Sequence, residues 1–198
     1  IERLLTKIDS SAQSLPNEED TFLLHNLEES ILKQTRRIIS HDVAKIIIVS
    51  PFFSQDLALY ERLARTFTDN IEFVIQPGNN NLPVDLLKNW RRVSKARFMS
   101  IAFRDNRSLH GKLFVFRTKS CVFTLTGSAN FTKQALLLST KEGGNVEVCL
   151  LRRAPLKYFD YLFDPSFVTL KKIALPEVKP SIQTQPTEKE SDFRTLEA

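Results

Sequence analysis

The sequence predicts an α/β fold in which a mixed β-sheet is flanked by helices on both faces. After an initial helix, strand and helix patterns follow one another in the order β-α-β-α-β-β-β-α-β. The composition is that of one globular domain, since 42% of the 198 residues are apolar and 26% are charged, with 5 Gly and 9 Pro. The longest apolar run, around Ile46–Val49, is far shorter than the roughly 20 residues of a transmembrane helix.

Apolar spacing justifies the first elements in turn. Near-helical spacing over 21–39 predicts an amphipathic helix, and a continuous β-branched run over 45–50 predicts a strand covered on both faces. A helix over 56–67 and a strand over 70–76 follow, the strand being stopped by Pro77-Gly78. Pro83 suits the first turn of a helix that runs to Val93.

The second half is richer in strands. Its predicted elements are strands over 98–103, 109–116 and 121–126, a short helix over 134–139, a strand over 146–151 and a further helix over 156–163. We divide the chain into an N-terminal helical segment, 1–40, packed on a catalytic domain, 41–175, followed by a Pro-, Gln- and Thr-rich linker or disordered tail, 176–198. Because residue 1 is Ile, we expect the sequence to be a piece of a longer chain. We also predict that the protein is cytoplasmic.

Basic residues are concentrated in one window of the chain. Between Lys88 and Lys119 ten Lys and Arg residues stand against the single acid Asp105, a net charge of +9 within a chain whose total is +5. Such a window favours a polyanionic partner, either nucleic acid or an anionic membrane surface. The two cysteines, Cys121 and Cys149, fall in strand-like runs without metal-site spacing and are predicted to be buried free thiols.

One group of residues is suited to phosphoryl-transfer chemistry. His110 and Lys112 are two apart in a predicted strand, so that their side chains emerge on one face of the sheet. A hairpin turn at 117–120 then brings the segment Gly127-Ser128-Ala129-Asn130 back beside them. An imidazole nucleophile, a cation, a hydroxyl and an amide suit a phosphate group. Ser128 and Asn130 are also suited to cap a helix that begins near Phe131.

These motifs resemble the phospholipase D superfamily over roughly residues 40–152. Its signature is a His-x-Lys, matched by His110 and Lys112, followed by a Gly-Ser-x-Asn turn, matched at 127–130. The family's Asp five residues after the Lys is replaced here by Arg117, which points to a divergent, nuclease-like branch. The resemblance also implies that Glu147 holds the catalytic His110, with Glu142 as the weaker candidate.

The family uses two such motifs across one site, whereas this chain has a single one. Neither His25 nor His41 begins a second His-x-Lys. The resemblance therefore implies a homodimer with a shared active site, or a second half on a part of the chain missing from this sequence. It further implies that one His110 forms a phosphohistidine while the other protonates the leaving oxygen, with no metal and no cofactor.

We interpret the chain first as a metal-independent phosphodiesterase that cleaves nucleic acid, with DNA favoured. Besides the catalytic set, the basic residues assigned to nucleic-acid binding are Arg104, Arg107, Arg117, Lys119 and Lys133. One alternative is a phospholipase or phosphatidyltransferase, for which the sequence offers neither an apolar access surface nor an anchor. The other is a catalytically silent nucleic-acid-binding or dimerisation module of a larger helicase or restriction enzyme.

Overall fold

The computed structural model describes residues 20–40, 42–105, 107–159 and 162–180. The strands in these ranges are β1 (Thr21–His25), β2 (Lys45–Val49), β3 (Ile71–Ile75), β4 (Arg97–Phe103), β5 (Leu113–Arg117), β6 (Cys121–Gly127), β7 (Val148–Pro155) and β8 (Val168–Ile173). The α-helices are α1 (Ile31–Ile38), α2 (Ala58–Thr66), α3 (Val84–Lys88) and α4 (Lys133–Leu136). None of the helices in the described ranges is long and apolar enough to cross a membrane.

All eight strands form one mixed sheet, as predicted. The strand order is β1-β7-β6-β5-β2-β3-β4-β8. The neighbours β2, β3 and β4 run parallel, and every other pair is antiparallel. Strand β2 sits in the interior, where its β-branched residues pack on both faces of the sheet.

The two faces of the sheet are covered differently. Ile46 and Ile48 of β2 point into a large core that contains buried residues from all four α-helices. Ile47 and Val49 point to the other face, where partly buried Phe159, Leu162 and Phe163 pack against a smaller cluster. Both faces of the sheet therefore carry helices, as predicted. The α-helices cover one face, and the 3-10 helix Leu156–Phe159 lies on the other. Cys121 and Cys149 are buried free thiols, as predicted.

The prediction of a single helix over 21–39 is wrong for its first part. Residues Thr21–His25 form the edge strand β1, and the helix begins only at Ile31. Strand β1 alternates, since Leu24 is buried while Leu23 and His25 are exposed, and it pairs with β7 more than 100 residues away. Local spacing suits a helix as well as a strand here, and the distant partner decides between them.

Several other element boundaries also differ. The helix predicted to run from Pro83 to Val93 ends at Lys88, and β8, which completes the far edge of the sheet beside β4, was not predicted. Within the predicted tail, Val178 is only 5% exposed and packs into the large core. The rest of the tail, 181–198, and residues 1–19 of the N-terminal segment lie outside the described residues.

Acid is expected to weaken the fold through Glu61. The guanidinium of Arg91 and the indole N–H of Trp90 donate hydrogen bonds to its carboxylate, and Arg91 foremost lowers the pKa of Glu61 from 4.5 to about 2. A carboxylate whose pKa is lowered by folding stabilises the protein above its unfolded pKa, and this contribution is lost as the pH falls from 4.5 towards 2. We therefore expect Glu61→Gln, which retains an acceptor for Trp90, to unfold with a weaker pH dependence over that interval.

Urea unfolding at pH 2.5 to 5, followed by the fluorescence of the single tryptophan, tests this expectation. A matched control is Asp85→Asn, since Asp85 is an exposed carboxylate that pairs with Lys88. The control variant should keep the wild-type pH dependence. An equal change in both variants would contradict a specific role for Glu61.

Candidate active site at one edge of the sheet

The strand directions bring the motif residues to one edge of the sheet. Strand β5 begins where its antiparallel neighbour β6 ends, with Leu113 opposite Thr126. Strand β7 in turn begins beside the end of β6, with Cys149 opposite Gly127. The segments His110–Lys112, Gly127–Asn130 and Glu147 therefore lie at the same end of neighbouring strands, which we call the site edge.

His110 and Lys112 lie just before β5 and not within a strand. The predicted strand from 109 begins only at Leu113, because the backbone N–H and C=O of Leu109 bond to side chains of the loop after β3. The Lys112 ammonium donates to the carbonyl oxygen of His110 at 3.1 Å. The His110 ring is exposed and has no hydrogen bond within the described part of the chain. Its nitrogens are available to a ligand.

Ser128 is fixed by its neighbours in β7. Its backbone N–H donates to the carbonyl of Val148 at 3.0 Å, and its hydroxyl accepts from the N–H of Val148 at 3.0 Å. The hydroxyl proton goes to the carboxylate of Glu147. Gly127 makes this approach possible, since a Cβ there would lie 2.3 Å from the Val148 carbonyl oxygen. Ser128 thus holds the turn in place.

Glu147 contacts Ser128 and not His110 in this structure. Its side chain is 5% exposed and also accepts from the amide of Asn145 at 3.3 Å. The described contacts of Glu147 do not include His110, so the implied pairing of these two residues stays a prediction. Glu142, the weaker candidate, accepts from the hydroxyl and N–H of Ser139 and caps a local turn.

Asn130 keeps unused hydrogen-bonding capacity. Its Oδ1 atom is buried and has no partner among the described residues, a state that costs roughly 1–3 kcal/mol when nothing is bound. The interpretation of Ser128 and Asn130 as helix caps is wrong, because the N-cap of α4 is Thr132, whose hydroxyl accepts from Ala135. That helix has only four residues and begins after Asn130.

The basic candidates divide into three groups. Arg104 and Arg107 lie in the loop between β4 and the site edge, where Arg104 bonds to the carbonyl of Pro165 and Arg107 pairs with Asp105. Arg117 and Lys119 lie at the opposite end of β5 from Lys112. At about 3.3 Å per residue, the strand separates Lys112 from Arg117 by roughly 16 Å. There the guanidinium of Arg117 stacks over the ring of Phe159. Lys133 lines an open cavity of about 760 Å³ between α1, α2 and α4.

Sequence reasoning missed the buried support of Glu147. The side chain of Asn26 is fully buried, accepts from the N–H of Glu147 at 2.8 Å and donates to the carbonyls of Leu138 and Asn145. An Asn directly after a strand is a signal of such a role, but the spacing over 21–39 predicts one helix and so hides the strand. His25, at the end of β1, lies at this same edge of the sheet, and His41 lies outside the described residues.

His110, Gly127 and Ser128 of the site edge are exposed in the single chain. The cavity beside Lys133 and a second one of about 680 Å³, near Asp69 and Lys172, do not include His110. Within the described ranges, no group of three or more His, Cys, Asp or Glu side chains is placed to hold a metal ion.

Comparison with known proteins gives matches among solved structures alone. No protein-family model and no curated protein matches the sequence. The chain is similar to Nuc of Salmonella typhimurium, a phospholipase D family member, at 15% identity and a TM-score of 0.48 over 72% of this chain and 88% of that one. It is also similar to yeast tyrosyl-DNA phosphodiesterase, at 19% identity and a TM-score of 0.42, over 66% of this chain and 30% of that one.

A third likeness is to polyphosphate kinase of Porphyromonas gingivalis, at 11% identity and a TM-score of 0.46, over 91% of this chain and 27% of that one. The chain thus spans less than a third of the tyrosyl-DNA phosphodiesterase and of the kinase. All three of these likenesses have TM-scores below 0.5.

Proposed function

We propose that the protein is a phospholipase D-superfamily phosphodiesterase that cleaves nucleic acid, with DNA favoured, without a metal and through a phosphohistidine. The observation that supports the proposal is that the segment of His110 and Lys112 and the segment of Asn130 lie at the same end of the paired strands β5 and β6. An exposed imidazole suits the attack on a phosphodiester, and the Lys112 ammonium and the amide N–H of Asn130 are donors suited to its oxygens.

The proposed reaction has two balanced steps. A nitrogen of His110 attacks phosphorus, the bond from phosphorus to the leaving oxygen breaks, and a second His110 gives that oxygen a proton. That second imidazole then takes a proton from water, whose oxygen attacks phosphorus and breaks the P–N bond. Lys112 and Asn130 bind the non-bridging oxygens. The Ser128 hydroxyl donates a hydrogen bond to Glu147. We therefore propose that Ser128 holds the turn that carries Asn130.

The second His110 comes, in this proposal, from a second copy of the chain. The outer face of β1 and β7 carries Leu23, Val148 and Leu150, which are 66%, 51% and 48% exposed. Leu23 lies opposite Leu150 in the sheet, and Val148 is bonded to Ser128, so this apolar patch adjoins the site edge. Covering the patch with a second copy buries it and closes the open site.

We expect Leu150→Arg to separate the dimer and to abolish most of the cleavage activity while the chain stays folded. An exposed arginine at the centre of an apolar contact costs desolvation only when a partner covers it. Light scattering and activity are measured together. The matched control is Phe167→Arg, a residue 69% exposed on the far side of the sheet, which should leave both unchanged. A monomeric wild type with full activity would contradict the shared site.

The same patch favours a second candidate function. The sequence showed no apolar access surface, whereas the structure places Leu23, Val148 and Leu150 beside the site edge, as a lipid-directed enzyme requires. The favoured substrate remains nucleic acid, because Arg104 and Arg107 flank the segment that carries His110 and phosphate contacts supply most sequence-independent affinity.

Incubation of the protein with labelled single- and double-stranded DNA in EDTA distinguishes these candidate functions. We expect cleavage that survives EDTA and is lost in His110→Ala. Cleavage that EDTA abolishes would contradict the metal-independent mechanism. Hydrolysis of phosphatidylcholine vesicles with intact DNA would favour the lipid enzyme, and DNA that is retarded but uncut would favour a silent binding module.

A further inference from the structure

The segment that carries His110 is not held by the sheet. Between the end of β4 at Phe103 and the start of β5 at Leu113, the described residues belong to no strand. Leu109, directly before His110, is 6% exposed and packs into the cluster on the second face. Its backbone N–H and C=O therefore need partners other than water.

Two side chains from the loop after β3 supply those partners. Gln76 accepts from the N–H of Leu109 at 2.6 Å and donates to the carbonyl of Arg107 at 2.8 Å. Asn79 donates to the carbonyl of Leu109 at 3.2 Å and to Oε1 of Gln76 at 3.0 Å. The two amides form a clamp that holds both polar groups of Leu109.

The turn between them makes the clamp possible. Gly78 has a φ of +73°, which L side chains rarely adopt, and the N–H of Asn79 donates to the carbonyl of Gln76 at 3.1 Å. The chain thus folds back so that both amides face the same backbone. The buried Asn80 reinforces the turn by donating to the Gln76 carbonyl at 2.8 Å.

We propose that Gln76 and Asn79 are positioning residues for His110. The Leu109 carbonyl belongs to the peptide group that contains the His110 nitrogen, so the clamp fixes that peptide plane one bond from the His110 Cα. An imidazole that must reach phosphorus in line gains from a fixed backbone, since small misplacements cost large factors in rate. This inference rests on the proposed role of His110 and concerns residues outside the motif.

Gln76→Ala tests the clamp in the full chain. With bis(p-nitrophenyl) phosphate as the substrate, we expect kcat to fall by roughly 10- to 100-fold while KM changes little, because the binding groups remain. Exchange of the Leu109 amide hydrogen should become about 10-fold faster or more. Gln76→Glu keeps the acceptor for that amide and should restore most of its protection.

The matched control is Gln55→Ala. Gln55 also bonds to two backbone carbonyls, those of Phe53 and Asn81, but does not contact the 107–109 segment. Wild-type kcat in Gln76→Ala, or an equal fall in both variants, would overturn the proposal. If the wild type and His110→Ala are equally inactive on every substrate, the proposed function fails. Hydrogen exchange of the Leu109 amide then tests the clamp separately. If Gln76→Ala leaves the protection of that amide unchanged, the clamp is contradicted.

Discussion

His110→Ala is expected to lower kcat for phosphodiester cleavage by on the order of 10⁴-fold or more. In a homodimer the substitution removes both imidazoles of the shared site, so that neither the nucleophile nor the proton donor remains. The His110 ring is exposed and unbonded within the described chain, and we expect the free energy of unfolding to change by less than about 0.5 kcal/mol.

Cleavage of labelled DNA and of bis(p-nitrophenyl) phosphate measures the loss, and retention of DNA by the variant checks that binding is intact. Acid quenching of the wild type with a phosphorus-labelled substrate should trap an adduct on His110. The acid-labile P–N bond requires a brief quench followed by analysis at alkaline pH. Activity retained in His110→Ala would remove the basis of the proposed mechanism.

Gly127→Ala is expected to be the most damaging small substitution, costing on the order of 3–5 kcal/mol of unfolding free energy. The added Cβ would lie 2.3 Å from the Val148 carbonyl oxygen and 2.7 Å from the Cys149 Cα. Both are backbone atoms of the adjacent strand, so neither moves without opening the β6–β7 pairing. The φ of +154° at Gly127 adds backbone strain for any L residue.

The control for this steric effect is Gly143→Ala. Gly143 has a φ of +83°, but nothing lies within 4 Å of an added Cβ, so the cost is the conformational one of about 1 kcal/mol. Urea unfolding followed by Trp90 fluorescence compares the two variants. Equal destabilisation would contradict the close approach of β6 to β7 as the cause. We also expect Gly127→Ala to lose activity, because Ser128 and Asn130 follow directly.

The inner strands were predictable because their signal is local. The run over 45–50 is continuous and β-branched, and it forms the buried strand Lys45–Val49. The edge strands were not, since β1 resembles a helix in its spacing and β8 mixes Lys with apolar residues. An edge strand is stabilised by one partner far away in the chain, and no local pattern contains that partner.

For the site, the residue types of the motif predict a catalytic set, and the roles of its members stay predictions. The pairing of Glu147 with Ser128 and the clamp on Leu109 were not predictable, since they join residues 19 to 33 positions apart across loops. The domain boundaries, the DNA substrate and the cytoplasmic location stay predictions.

The sequence alone determined the mixed α/β sheet, and it predicts the chemical set at 110, 112, 128 and 130, because periodicity and residue chemistry are local properties. Tertiary structure decided which hydroxyl Glu147 holds, which end of the sheet each arginine occupies and which amides fix the segment before His110. Those relations depend on the direction and register of strands, which are set by hydrogen bonds between distant parts of the chain.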